Sequence, residues 1–209
     1  MKKTMDLSEK DYNEVAEKFQ IEQLITEQQS FLENQYEKLL NERILVINDI
    51  IDQDIMERIV LPLIMMDNDN SGEKITIYLN TSGGSVHDGL CLCNVIENLK
   101  TPTDIIVLGY AYSMGSIILI SGKNNPNVTR YCYPFSTALI HGGSNYVSGT
   151  SSQVKDYFKF NVKFEQRITD FIISHTNFTS EDYEAIERYE TYMDSDEMLE
   201  KGLVDYIIK

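Results

Sequence analysis

The sequence predicts an α/β protein, built of repeated βαβ units around a mainly parallel sheet and preceded by a helical N-terminal extension. Three observations carry that prediction. From residue 43 onward, short runs rich in Ile, Leu and Val alternate with longer helical stretches. A Gly83-Gly84 pair marks a tight turn between one such run and the helix after it. Residues 1–42 contain neither Gly nor Pro and keep a helical spacing of apolar residues.

The extension spans residues 1–42. Its apolar positions are Ile21, Leu24, Ile25, Leu32, Tyr36, Leu39 and Leu40, the pattern of one or two amphipathic helices. The domain then runs from 43 to 209. Arg43 to Ile47 reads as a buried strand. Asp52 to Met66 reads as a helix with a kink or break at Pro62. Lys74 to Asn80 is a strand, Ser85 to Leu99 a helix and Asp104 to Tyr110 another strand. Ser113 to Ile120 is a short, very apolar helix, and Tyr131 to Tyr133 and Thr137 to Ile140 are further strands. Gly149 to Ser174 is a long helix. Asp196 to Lys201 is a short one, stopped by Gly202.

Composition narrows the function. The 209 residues carry a net charge of -15, which argues against nucleic acid, since phosphate contacts need clustered Lys and Arg. The same charge disfavours an anionic membrane surface. No apolar run approaches the ~20 residues that span a bilayer. The N-terminus lacks the apolar region of a secretory signal, so the expected location is the cytoplasm. Cys91, Cys93 and Cys132 form neither a disulfide framework nor a zinc pattern, and no metal or cofactor is expected.

Several motifs carry no chemistry. Asp67 to Gly72 begins like a calcium loop, but Tyr78 stands where a bidentate Glu is required, so it reads as a polar turn. Gly122-Lys123 lacks the spacing of a phosphate-binding loop, and the chain is not expected to hydrolyse ATP. His87 reads as structural, and His175 as a surface or capping residue.

Two stretches do carry chemistry. Asn80 to Val86 places paired glycines between a strand and a helix N-terminus, where backbone N–H groups can receive an oxyanion; the alternative is a plain tight turn. Gly109 to Ser116 ends a strand and starts a helix at Ser113, the placement of a strand–turn–helix nucleophile, although the G-x-S-x-G pattern is absent. The alternative for Ser113 is a plain helix N-cap. Of the three histidines, His141 is the best placed as a base. It ends an apolar strand and precedes Gly142-Gly143.

Gly83 to Val86, Ala111 to Ser116, Leu139 to His141, and Glu187-Arg188 through Gly202 to Asp205 together resemble the Clp proteolytic subunit, from about Glu42 to the C-terminus. That resemblance implies a crotonase-like α/β fold and a serine endopeptidase. It makes Ser113 the nucleophile and His141 the base, with the N–H groups of Gly84 and Met114 as oxyanion hole. It further implies two stacked heptameric rings of identical subunits, joined through the long helix from Gly149. Peptides or unfolded proteins would be the substrates, fed by an AAA+ ATPase.

The sequence departs from the family at the third triad member. Counting back from Gly202-Leu203 puts Glu190 where the family has Asp, 49 residues after His141. Asp194 competes, although Asp194 with Glu197 reads as a capping box. Tyr112 also replaces a small residue before the serine. Two alternatives stay open: a catalytically weakened scaffold subunit, and a crotonase-type acyl-CoA enzyme.

Overall fold

The computed structural model describes Lys18, Gln23, Phe31 and residues 33–209, apart from Asn145, Glu187 and the side chain of Glu184. The chain divides into two units, Met1–Glu42 and Arg43–Lys209. In the first, a helix α1 covers residues 33–41. Most of the expected amphipathic extension lies outside the described residues.

In the second unit, seven strands among the described residues form one sheet. Its path is β1 (Ile44–Ile47), β2 (Ile75–Thr81), β3 (Thr103–Tyr112), β4 (Val128–Cys132) and β7 (Tyr206–Ile207), all parallel. The remaining two, β5 (Thr137–Ile140) and β6 (Thr191–Met193), leave this path at β3. The helices are α2 (Leu61–Asn68), α3 (Val86–Ile96), α4 (Met114–Ile120), α5 (Ser151–Ser174), α6 (Ser180–Ile186) and α7 (Ser195–Glu200).

Parallel sheets usually bury both faces. Here the strands alternate instead: Leu45, Ile47, Ile75, Ile77, Leu79, Ile105 and Val107 are buried, while Tyr78, Ile106 and Tyr131 on the other face are half-buried. The Arg43 to Ile47 segment expected to be a buried strand follows this one-faced pattern, with Ile44 and Val46 half-buried. All seven residues of α4 are buried, which fixes its N-terminus at the edge of the core.

Two details place the site. The first is a fork in β3. Residues 103–107 pair with β4, whereas Tyr110 to Tyr112 pair with β5. Buried Ser136 lies in the fork and donates its hydroxyl to Val107 O at 2.9 Å. The second is the antiparallel β5–β6 pair, where Ile140 faces Thr191. One step further along that register, His141 comes opposite Glu190.

Arg130 on β4 is fully buried. Its guanidinium donates to both oxygens of Asp205 and to the carbonyls of Gly202 and Leu203. Each of its three nitrogens thus meets an acceptor, and a carboxylate faces its charge, the condition for burying it.

Some expected elements differ. The helix expected over Asp52 to Met66 starts later, as a π-helical stretch Met56–Val60 that runs into α2. Pro62 does not end it: the π-helical stretch runs directly into α2 at Leu61, and the proline stands where the winding changes from π to α. His175 is the C-cap of α5 but is buried rather than on the surface, with Nε2 3.0 Å from Glu97 Oε1. The polar turn at Asp67 is structural: its carboxylate accepts the N–H groups of Lys100 and Thr101. The elements α6, β6 and β7 had no expectation from sequence; each has seven residues or fewer.

Candidate active site

Ser113 joins β3 to α4 with φ 53° and ψ -119°. For a residue with a Cβ this is a strained conformation, of the kind that concentrates at functional sites. It is held from both sides. The Ser113 N–H donates to Leu139 O at 2.8 Å. The Ser116 hydroxyl, one turn on, bonds the carbonyl oxygens of Ala111 and Leu139. The Ser113 side chain makes no cap bond to α4, which removes the N-cap alternative. Its Oγ lies instead 2.9 Å from His141 Nε2.

His141 follows β5 and reaches Ser113 because β5 pairs with the end of β3. Its other ring nitrogen, Nδ1, is 3.8 Å from Glu190 Oε1. That distance suits an ion pair but exceeds a hydrogen bond. The two side chains are 33% and 59% exposed, so solvent screens this contact more than it would a buried pair.

The glycine turn lies against the serine. Gly83 has φ +91°, and a Cβ there would come within 2.8 Å of both Met114 N and Ser113 Cβ. Gly84 bridges to Ile51 in parallel fashion: Ile51 N–H donates to Gly83 O, and Ser85 N–H donates to Ile51 O. In such a bridge the N–H of the central residue points away from its partner. Gly84 N–H is therefore turned from Ile51, and Gly84 lines the cleft that holds Ser113. Met114 N–H is in the first turn of α4, where the helix supplies no acceptor.

The family model that matches this chain is Clp protease, over residues 27–209. The chain belongs to the Clp protease family. Two curated relatives agree, both called ATP-dependent Clp protease proteolytic subunit. One, from Carsonella ruddii, is 30% identical over 173 residues, covering 83% of this chain and 87% of the relative. The other, from Deinococcus radiodurans, is 29% identical over 173 residues, covering 83% of each. Membership makes the chain a serine endopeptidase of α/β fold.

In this Clp protease chain the cleft has a volume of about 580 Å³. Ser113, Met114 and His141 line it, together with residues of α5, among them Tyr157, Phe164 and Ile168. His87 stacks on Phe164 at 4.9 Å and so contributes to the wall, although nothing in its sequence context marked it as a cleft residue. Asp194, the competitor for the third position, is committed elsewhere. It caps α7 by accepting Glu197 N–H at 2.9 Å, and Glu197 returns a bond to Asp194 N–H. Cys93 is buried, and that burial pushes its thiol up to about 12, so it stays protonated and inert. Among the described residues no group of three or more His, Cys, Asp or Glu is placed to hold a metal ion.

Proposed function

We propose that this endopeptidase acts through Ser113 as nucleophile, His141 as general base and Glu190 as the orienting acid. The observation that carries the reading is the 2.9 Å contact between Ser113 Oγ and His141 Nε2 at a strained strand–helix junction. Ser113 Oγ attacks the scissile carbonyl carbon and passes its proton to His141 Nε2. For Nε2 to accept, the other proton must sit on Nδ1, the nitrogen facing Glu190. The N–H groups of Gly84 and Met114 receive the oxyanion. His141 then hands the proton to the leaving amine. Water, deprotonated by the same ring, releases the acyl group from Ser113.

The working form is a ring-shaped homo-oligomer, with two stacked heptamers enclosing the clefts, and an AAA+ ATPase unfolds protein substrates and delivers them. The relatives' name, ATP-dependent proteolytic subunit, supports the ATPase and the assembly. So do the apolar surfaces that one chain leaves bare: Phe158 on α5 is 66% exposed, and Phe160 and Val162 beside it are exposed too. No helix among the described residues is long and apolar enough to cross a membrane, in keeping with work in the cytoplasm.

A fluorophosphonate probe tests the nucleophile. It should label wild-type protein on Ser113 and leave Ser113→Ala unlabelled. Labelling elsewhere with Ser113 free overturns the assignment. Mass by light scattering, with cleavage of a short peptide and of a folded protein, tests the chamber. A stable monomer that degrades folded protein unaided overturns it. The second reading, a weakened subunit, is favoured by the exposure of Glu190 and its 3.8 Å separation from His141; it predicts no labelling at all.

A further inference from the structure

The acid proposed for the triad sits on the surface, and a longer side chain than Asp has more rotamers in which to miss the imidazole. Glu190 does not rely on His141 alone to hold it. Its second oxygen, Oε2, accepts the Tyr192 phenol at 3.1 Å, while Oε1 faces His141 Nδ1. The two contacts use opposite oxygens of one carboxylate, so the phenol fixes which way the group points.

Tyr192 is itself held. The register of β3, β5 and β6 puts Tyr112, Leu139 and Tyr192 in one row across three strands. The rings of Tyr112 and Tyr192 meet edge to face at 5.8 Å, a favourable geometry for an aromatic pair. Tyr112 is anchored in turn: its hydroxyl is 2.9 Å from Thr137 Oγ1, and Tyr110 packs on its ring at 5.0 Å. A chain of contacts thus runs from β5 through Tyr112 and Tyr192 to Glu190. Hydrogen bonding to the carboxylate, and its charge, hold the Tyr192 phenol above its ordinary value, so it remains a donor through neutral and mildly alkaline pH.

We infer that Tyr192, braced by Tyr112, is a positioning residue that keeps the Glu190 carboxylate directed at His141. The inference rests on the role proposed for Glu190. The Tyr192 hydroxyl bonds the Glu190 carboxylate, so it acts through Glu190.

The test is steady-state cleavage of a short peptide by Tyr192→Phe, Glu190→Gln and the double variant, at matched assembled mass. A hydrogen bond between exposed groups gives a modest effect. Tyr192→Phe should lower kcat about fivefold and leave KM within about twofold. Adding Tyr192→Phe to Glu190→Gln should change nothing further, because the group it orients is gone. Tyr112→Leu, which removes the brace but keeps the phenol, serves where Tyr192→Phe assembles poorly. It should also lose turnover only while Glu190 is present. Independent, multiplying losses, a change confined to KM, or full kcat in Tyr192→Phe would each overturn the positioning role while leaving Glu190 as the acid. Full kcat in Glu190→Gln would overturn both together.

Discussion

Ser113 Oγ and His141 Nε2 meet at 2.9 Å although 28 residues separate them in the chain. The contact exists because the last residues of β3 pair with β5, and each side chain projects from the end of its strand. Ser113→Ala should therefore remove peptide hydrolysis without changing the assembled mass. Loss of a triad serine costs about a million-fold in turnover in a well-studied hydrolase. The check is peptide turnover beside light scattering, and substantial turnover in the purified variant would reject the nucleophile.

Gly83 is the second point of attack. An added Cβ would press on Tyr112 O at 2.6 Å and on Met114 N, in a backbone region that favours glycine. Gly83→Ala should push the glycine turn away from Ser113 and spoil the oxyanion donors. Losing one such donor costs about 100-fold to 1,000-fold in kcat. We expect a loss in that range, with about 1–3 kcal/mol of stability lost to strain. Turnover and urea unfolding on the same sample measure both; wild-type kcat in a folded variant would show that the turn takes no part.

Glu190→Gln and Asp194→Asn separate the two candidate acids. Glutamine keeps the shape of Glu190 and removes its charge. In a serine protease the equivalent change lowers kcat about 10⁴-fold. The exposure of Glu190 reduces what its charge is worth, so a loss of about 100-fold is expected here. Asparagine caps helices about as well as aspartate, so Asp194→Asn should unfold within about 0.5 kcal/mol of wild type and keep its kcat. The reverse ranking would move the third role to Asp194.

Arg130→Leu and Asp205→Leu test the buried ion pair that ties the C-terminal strand to β4. Either single change strands one charge in the core or at its margin. A loss of about 3–5 kcal/mol is expected for Asp205→Leu, which strands the fully buried guanidinium, and a smaller one for Arg130→Leu, whose stranded carboxylate is 32% exposed. The double variant should recover part of it, since neither charge is then left alone. Chemical denaturation of all three variants reads this out, and additive losses would mean that the pair is not coupled.

The sequence by itself determined the local structure and the parts of the site. Strand–helix alternation gave the α/β class, and the Gly83-Gly84 turn lies where the glycines put it. The Asp194 capping box and the stop at Gly202 are contacts within a few residues, so their signals survive without knowledge of the fold. Ser113 and His141 were legible as candidates through their places at strand ends, and the ordered motifs tied them to one family. Only the tertiary structure decided what meets what. The fork in β3 brings Ser113 to His141. The strand β6 has three residues, too few to show a period, yet its antiparallel register sets Glu190 opposite His141 and Tyr192 beside Tyr112. His175 and Arg130 are polar in sequence and buried in the fold, because Glu97 and Asp205, 78 and 75 residues away, supply their partners. Such long-range pairings leave no mark in local propensity, since neither residue's own neighbourhood contains the group that satisfies it.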